Sequence, residues 1–375
     1  MNDIILYGSP LSLYTGRARS YLIKARLNYQ ETIPNTPYVR ESVLPKAGNR
    51  QSVPTIELGD GTIIRDGAAI VDHFEAQGGH QFSPSSPKQR ILSRLFDVIG
   101  AEGLLRPAMH YRWNFDEENW PFLKFHFESM VPRSPTRAEH GEKVANQMRA
   151  ACMAFGAVPD TFELVETLYG ELREKLNTHF SAQPYLLGGK PSIGDFGLIA
   201  PMYGHLGRDP KPLSLMQADA IQLFRWVERM NRPDLDVGEF EVQDGEYLAD
   251  DEIPDTMLDL LKHLAVDFVP ETQAASTCIN NWLEQQSDLA SGTQLERGVG
   301  MASFQVRGVT INALAQPYRF YLLKRVQDEF EAMNDSDKAG VRDMLAAGDM
   351  SEILDCKLSR NIGREDNLEV WLDKS

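Results

Sequence analysis

Residues 53–70, VPTIELGDGTIIRDGAAI, carry the pattern that decides the fold of the N-terminal part of the chain. Two short apolar runs, 53–58 and 62–64, flank a Gly-Asp-Gly loop. Such runs around an Asp-Gly pair predict a β-hairpin, and the pair favours a type I′ turn. Helical spacing over 66–76 then predicts a helix that begins with an aspartate, a residue suited to the N-cap. The stretch therefore predicts a β-β-α unit.

The residues before this unit predict a β-α-β unit. An apolar run over 3–7 ends at a Gly-Ser-Pro loop, which is typical of a buried strand. Residues 16–27 place apolar side chains at helical spacing with basic side chains between them, which predicts an amphipathic helix. A second strand is predicted over 29–33. The first 80 residues thus predict a small α/β domain.

After a segment rich in Ser and Pro at 83–87, the pattern becomes helical. Helical periodicity covers five stretches, 88–103, 136–155, 160–180, 193–206 and 215–230. Ser192 and Asp195 have the spacing of a capping box, in which each side chain reaches the backbone N–H of the other residue. We expect no strand in this part, so an all-helical domain follows the α/β domain.

The acidic residues are concentrated in the last part of the chain. Residues 231–375 hold 29 acidic and 13 basic side chains, and the preceding residues hold equal numbers, so this part accounts for the net charge of −16. Residues 234–255 include ten carboxylates and no Lys or Arg, which favours a solvated linker. Beyond it, the patterns predict helices over 256–269, 274–286 and 317–333 and a hairpin over 304–311 around Arg307-Gly308.

Several classes of function lack support in the sequence. Nucleic acids and anionic membranes are bound mainly through Lys and Arg, so we expect neither as a partner. The chain has no HExxH, GxSxG or GxGxxG motif. Its cysteines, Cys152, Cys278 and Cys356, form no CxxC pair, so we predict neither a disulfide framework nor a metal site. No apolar run of 18 residues or signal-peptide pattern is present, and we expect a cytoplasmic protein.

Taken together, these motifs resemble the glutathione transferases over roughly residues 1–230. The shared features are the β-α-β and β-β-α units, a Val-Pro pair before the third strand, an acidic residue opening the last helix, and the PSIGDF capping segment at 191–196. The resemblance implies a thioredoxin-like domain followed by a helical domain. The expected divisions are a thioredoxin-like domain at 1–80, a helical domain at 87–232, an acidic linker at 233–255 and a mostly helical extension, with a possible hairpin, at 256–375.

The resemblance also implies a binding site for glutathione. The backbone of Val53 would pair with the peptide, and Pro54 would follow a cis bond. Asp66 would bind the γ-glutamyl ammonium, while the helix N-terminus at Gly67 would bind the γ-glutamyl carboxylate. The family usually has Ser after the acidic residue, so Gly67 is a departure. For the glycyl carboxylate, nearby candidates are Lys46, Arg50 and Gln51.

Ser12 is the candidate catalytic hydroxyl that would stabilise the thiolate. It precedes Arg17 by five residues and Arg19 by seven, a spacing similar to that of the zeta and omega classes and indicative of a serine-type enzyme. Ser9, Tyr14 and Thr15 lie on the same loop and are alternatives. Arginines in a first helical turn oppose the helix dipole, so we expect one of the two to have a carboxylate partner.

The implied function is transfer of glutathione, as co-substrate and without a metal, to a small apolar electrophile. Candidate walls of the electrophile pocket are Tyr14, Met109, Tyr111 and Trp113. A role in detoxification and a homodimer are implied by the resemblance alone. Two alternatives stay open: a fold relative that binds ligands or proteins without turnover, and a glutathione-dependent isomerase, lyase or dehalogenase.

Overall fold

The computed structural model describes residues 4–241 and 243–373. Its N-terminal domain is a four-stranded sheet with helices on its faces, of order β2-β1-β3-β4. The strand β1 is parallel to β2 and antiparallel to β3, and β3 and β4 form a hairpin. The elements are β1 Ile4–Tyr7, α1 Leu13–Lys24, β2 Tyr29–Thr32, a π-helix Val39–Val43, β3 Thr55–Glu57, β4 Ile63–Arg65 and α2 Gly67–Gln77. This is the predicted thioredoxin-like topology, although Asp3 of the first predicted strand lies outside the described residues.

The hairpin turn differs from the predicted type I′ turn. A type I′ turn needs positive φ at both central residues, whereas only Gly61 has a positive φ here, of 83°. The N–H of Gly61 donates to Leu58 O (2.8 Å), and the N–H of Leu58 donates to Thr62 O (2.9 Å). The connection is therefore a three-residue loop closed by a left-handed glycine.

The second domain is helical, as predicted, but its elements differ from the sequence pattern. The elements are α3 Pro87–Val98, a π-helix Ile99–Gly103, α4 Leu105–Trp113, α5 Asp116–Ser129, α6 Arg137–Ala150, 3-10 turns Ala151–Phe155 and Pro159–Thr161, α7 Phe162–Ala182, α8 Ile193–Gly204, α9 Pro210–Asp219 and α10 Ile221–Met230. The single helix predicted over 215–230 is wrong, because Ala220 leaves the helical region (φ −139°, ψ 55°) and separates α9 from α10. The capping box is present: the N–H of Ser192 donates to Asp195 Oδ2 (2.8 Å).

The segment between α10 and the next helix is not simply solvated, contrary to the prediction. Asp236 pairs with Arg225 (3.0 Å) and Arg232 (2.9 Å), so cations on α10 and just after it neutralise part of the acidic run. The carboxylate of Asp251 accepts from the first backbone N–H groups of α3, those of Lys88 and Gln89 (2.9 and 3.0 Å). Nearby cations and a helix N-terminus therefore tie this segment to the helical domain.

The extension contains more strand than expected. The acidic segment contains a 3-10 turn, Ala249–Asp251. The elements that follow it are α11 Asp255–Glu284, β5 Thr293–Gln294, β6 Met301–Val306, β7 Val309–Leu314, α12 Pro317–Glu331, α13 Asp335–Ala347, a 3-10 turn Ser351–Asp355, β8 Ile362–Glu365 and β9 Leu368–Trp371. The predicted hairpin around Arg307-Gly308 is confirmed as β6–β7, with longer strands. The two helices predicted at 256–269 and 274–286 are one helix, which continues through Pro270 because buried residues such as Phe268 and Ala275 continue its apolar face on both sides.

The extension shares one hydrophobic core with the other domains and covers an edge of the first sheet. The α12–α13 pair packs on α3, and the β8–β9 hairpin lies against β4. Asn367, at the tip of this hairpin, accepts from the N–H of Arg65 (3.1 Å) and donates to Ile63 O (2.9 Å). These bonds satisfy backbone groups that an edge strand would otherwise expose. Across the described residues, no helix has the length and apolar character needed to cross a membrane.

Candidate functional site

Three parts of the thioredoxin-like domain converge at the predicted site: the start of α1, the Val53–Pro54 bond and the start of α2. Gly67 marks the point of contact. A Cβ on this residue would lie 3.1 Å from Tyr14 O, 3.4 Å from Arg17 Cδ and 3.8 Å from Pro54 Cγ. The glycine found where the family usually has Ser therefore fits a crowded position, since a side chain would press on the Tyr14 carbonyl.

Ser12 is the N-cap of α1. Its Oγ accepts from the N–H of Thr15 (3.2 Å), and its own hydroxyl hydrogen has no acceptor among the described residues. The other loop hydroxyls are less available: Ser9 and Thr15 are 1% and 0% exposed, and Tyr14 donates to Glu102. Partly exposed Ser12 therefore combines a helix N-terminus with an unused donor.

The Val53–Pro54 bond is cis, as predicted. Pro54 O accepts from the N–H of Asp66 (3.0 Å), which joins the bond to the start of α2. In contrast, neither the N–H nor the C=O of Val53 forms a hydrogen bond within residues 4–241 and 243–373. This residue therefore presents a free donor and acceptor pair of the kind that an added extended peptide would use.

The candidates for the glycyl carboxylate all contact the extension, and Lys46 does so through its backbone O, which accepts from Asn367 (3.0 Å). The guanidinium of Arg50 donates to Leu295 O (3.2 Å), and the guanidinium of Arg297 donates to Gln51 O (3.1 Å). The ammonium of Lys46 lies 3.5 Å from Gly61 O. The extension therefore borders the loop that precedes the cis bond.

Asp66 has more partners than an N-cap requires. Its Oδ1 accepts from the N–H groups of Ala68 and Ala69 (2.9 and 3.2 Å), and its Oδ2 accepts from the Tyr318 hydroxyl of the extension (2.8 Å). Burial raises the pKa of Asp66, but Arg364, Arg65, Arg17 and the Tyr318 hydrogen bond outweigh burial and hold the pKa below its ordinary value. The carboxylate is thus ionised at neutral pH.

Both arginines of the first helix have carboxylate partners, whereas we expected one. Buried Arg17 pairs with buried Asp97, and Arg19 pairs with Glu31 (2.6 Å). These partners offset the cost of two cations near a helix N-terminus. Both pairs join separate elements of the fold, so their contacts are structural.

The residues proposed as electrophile walls do not lie together around one cavity. Met109 and Trp113 pack in a cluster with Leu11, whereas Tyr111 stacks on Phe115 (5.3 Å between ring centroids). None of these three residues of α4 is more than 8% exposed, but Tyr14 is only partly buried. An apolar cavity of about 40 Å³ lies elsewhere, between α7 and α11, and has room for only a few water molecules.

Sequence reasoning missed two residues beside the site, Glu102 and Tyr318. Glu102 lies on the π-helix and is 2% exposed. Its Oε1 accepts from the Tyr14 hydroxyl (3.2 Å), and its Oε2 has no hydrogen-bond partner among the described residues. A single carboxylate within the apolar stretch IGAEGLL was the available signal. Tyr318 had none, because it lies 252 residues from Asp66 along the chain.

Burial raises the pKa of Glu102 from 4.5 to about 7, while Arg319 and Tyr14 oppose the shift. The folded protein therefore holds the Glu102 proton more tightly than the unfolded chain does. As a result, the free energy of unfolding falls as the pH rises from the pKa of the unfolded chain, about 4.5, to that of the folded protein, about 7. As the pH rises from about 4 to about 8, we expect the wild type to lose about 3 kcal/mol of unfolding free energy that Glu102→Gln keeps, because glutamine does not ionise. Urea unfolding at both pH values measures this difference, and equal pH dependence of the two proteins would contradict it.

Within the described ranges, no group of three His, Cys, Asp or Glu side chains is arranged to hold a metal ion. The groups that the structure brings together at the site are hydroxyl, carboxylate and backbone groups. Asp66 can bind an ammonium group, Val53 can pair with a peptide backbone, and Ser12 can donate a hydrogen bond.

Comparisons with known proteins agree with this geometry over the first domain. Residues 6–82 match the family model for the N-terminal domain of glutathione S-transferases, and no curated protein matches the chain. Similar solved structures include the beta-etherase LigF from Sphingobium sp. strain SYK-6, with 17% identity over 63% of this chain and 96% of that one and a TM-score of 0.41. The glutathione transferase GSTFuA3 from Phanerochaete chrysosporium has 14% identity, coverage of 62% and 97%, and a TM-score of 0.45.

A third similar structure is FzlA from C. crescentus, with 15% identity, coverage of 69% and 99%, and a TM-score of 0.38. At these identities and TM-scores, the three structures carry no information about what this chain binds. The family model covers nearly all of the residues that form the four-stranded sheet. The thioredoxin-like domain of this chain is therefore similar, over residues 6–82, to the N-terminal domains of glutathione S-transferases, and a helical domain and an extension follow it.

Proposed function

We propose that the chain is a glutathione-dependent transferase of the serine type, in which Ser12 stabilises the thiolate. The observation that carries the proposal is the convergence of a partly exposed N-cap hydroxyl, the unpaired backbone of Val53 and the ionised carboxylate of Asp66. These groups suit the thiol, the peptide backbone and the ammonium of glutathione. The expected product is a conjugate of glutathione with a small apolar electrophile.

The proposed chemistry requires a thiolate near neutral pH. A thiol has a reference pKa of about 8.5, and a hydrogen bond donated to the sulfur together with a helix N-terminus lowers that value. Ser12 supplies the donor at the start of α1. Among the proposed pocket residues, Tyr14 is the one we place beside the reacting sulfur, because it keeps partial exposure. The places of Met109, Tyr111 and Trp113 around an electrophile remain proposals.

Ser12→Ala is expected to lower kcat/KM for conjugation of glutathione to an aromatic halide by about 100-fold, because one preorganised donor is lost. The matched control is Ser42→Ala, at an exposed serine of the same domain, and we expect it to keep wild-type activity. Calorimetric titration of both variants and the wild type with glutathione separates binding from turnover. Equal activity of Ser12→Ala and wild type would contradict the role of Ser12.

A second candidate is a fold relative that binds a ligand or a protein without turnover. The contact between the Tyr318 hydroxyl and Asp66 Oδ2 favours it, since this oxygen is the proposed acceptor for the γ-glutamyl ammonium. A carboxylate oxygen can accept two hydrogen bonds, so Tyr318 and an ammonium can share it. Absence of glutathione binding at millimolar concentration would support this candidate and overturn the transferase.

Other parts of the proposal follow from the resemblance. An isomerase, lyase or dehalogenase would use the same glutathione contacts, and a panel of substrates distinguishes these reactions from conjugation. A cytoplasmic location, a role in detoxification and pairing of two chains also belong to the proposal. Light scattering of the full chain measures its molar mass and so decides between one and two copies.

A further inference from the structure

Buried Glu102 and partly buried Tyr14 form a hydrogen-bonded pair at the back of the proposed site. The Tyr14 hydroxyl donates to Glu102 Oε1 (3.2 Å), and Tyr14 is two residues from Ser12 in the first turn of α1. The backbone O of Glu102 accepts from Arg319 of α12 (2.9 Å). Glu102 is therefore held between the thioredoxin-like domain, through its carboxyl, and the extension, through its backbone O.

Among the described residues, only one of the two carboxyl oxygens of Glu102 has a hydrogen-bond partner. Its Oε2 has no hydrogen-bond partner among the described residues, although its side chain is buried. The charged and titratable groups that face it are Tyr14 of α1, Asp66 at the start of α2, Glu271 of α11, and Tyr318 and Arg319 of α12. Arg319 is already paired with Glu271 (3.1 Å). An ionised Glu102 thus lacks a counter-charge of its own, and protonation would remove the cost of a buried charge.

We propose that Glu102 takes up, through the Tyr14 hydroxyl, the proton that the glutathione thiol loses. This inference rests on the proposed function. The step starts from ionised Glu102: the thiol S–H bond breaks and its proton moves to Tyr14 Oη, while the Tyr14 O–H proton moves to Glu102 Oε1. The products are a thiolate, a neutral tyrosine and a neutral carboxylic acid, so charge and protons balance without another reactant. Glu102 acts through Tyr14 and does not touch the sulfur.

The acid strength of the pair agrees with this step. Burial raises the pKa of Glu102 to about 7, so near neutral pH it can hold or release a proton. A thiolate placed nearby would raise that pKa further, since two negative charges repel each other. Burial also raises the pKa of Tyr14 well above its ordinary value, so Tyr14 stays protonated and passes a proton on without accumulating as a tyrosinate.

The test counts the protons released when glutathione binds. Titration calorimetry in buffers of different ionisation enthalpy gives this number, and ultraviolet absorbance of the thiolate shows that the thiol has ionised. About one pH unit above the pKa of Glu102, where about nine tenths of that carboxyl is ionised, we expect the wild type to release close to no proton. Glu102→Gln should release about one proton per bound glutathione, because only the buffer remains as acceptor. The exposed control Glu163→Gln should match the wild type.

A second variant keeps the test meaningful if Glu102→Gln does not fold. Tyr14→Phe keeps the carboxyl but removes the hydroxyl that carries the proton, and we expect slower thiolate formation with the same final proton count. Thiolate formation with equal proton release in wild type and Glu102→Gln overturns the relay and leaves the transferase intact. Absence of glutathione binding overturns both, and binding without a thiolate signal overturns the relay.

Discussion

Replacing Glu369 by Gln is expected to lower the free energy of unfolding by about 3–5 kcal/mol, because the change leaves buried guanidinium groups without a counter-charge. Glu369 lies on β9, is 1% exposed and accepts two hydrogen bonds from Arg65 of β4 (2.8 and 2.6 Å). Arg364 pairs with the same carboxylate. One carboxylate therefore pairs with two arginines where the extension meets the first sheet.

The matched control for this prediction is Glu365→Gln. Glu365 lies on the same hairpin but is exposed, and a glutamate at a surface position changes stability by about 0–1 kcal/mol. Urea unfolding followed by circular dichroism measures both variants. A loss for Glu369→Gln no larger than that for Glu365→Gln would show that the extension is held by its apolar contacts alone.

Arg112→Met is expected to cost a similar amount, about 3–5 kcal/mol, and to disturb the site as well. Arg112 binds both oxygens of Asp209 (2.7 and 2.9 Å), a carboxylate that is 0% exposed. It also donates to Gly204 O and to Leu11 O, each at 2.8 Å. Because Leu11 precedes Ser12, the arginine joins the loop of the proposed hydroxyl to the helical domain.

The comparison variant is Arg149→Met, which removes an ion pair with Asp116 at partly exposed positions (34% and 52% exposed side chains). Such pairs contribute about 0–1 kcal/mol. We expect Arg112→Met, but not Arg149→Met, to lower the denaturation midpoint strongly and to weaken glutathione binding. Wild-type stability of Arg112→Met would mean that Asp209 is accommodated as a neutral acid, a change that burial already favours by raising its pKa.

Local signals predicted the first domain and the outline of the second. The hairpin after Pro54 and the N-cap at Asp66 depend on residues a few positions apart, so a short stretch of sequence contains their causes. The cis bond at Val53–Pro54, in contrast, was expected from the family resemblance. The turn type was wrong because the composition Gly-Asp-Gly suits two loops that differ in which residue takes a positive φ.

The errors in the helices have a different origin. A proline usually ends a helix, but around Pro270 burial of a continuous apolar face outweighs the lost hydrogen bond. At Ala220 a residue that favours helix instead lies at a break: its backbone is not helical, and it separates α9 from α10 although the sequence pattern continues across it. Tertiary packing, which periodicity within one segment does not reveal, decides both positions.

The contacts of the candidate site that escaped prediction are those that join distant parts of the chain. Tyr318 reaches Asp66 across 252 positions, and Asn367 reaches Arg65 across 302. Neither residue lies in a motif that marks its partner. Glu102 differs, because an isolated carboxylate in an apolar stretch is visible in the sequence, while its pairing with Tyr14 depends on how two domains meet.

The cover on β4 has a consequence for the order in which the protein is built. A chain made from its N-terminus completes the first sheet early, yet Asn367 and Glu369, which close its outer edge, follow about 300 residues later. At about 5–20 residues per second, that delay is about 15–60 s of synthesis. During this time the nascent sheet has an unpaired edge at β4, which can pair with another strand. The residues at the end of the hairpin close this edge, so we expect them to protect the sheet from mispairing rather than to start its folding.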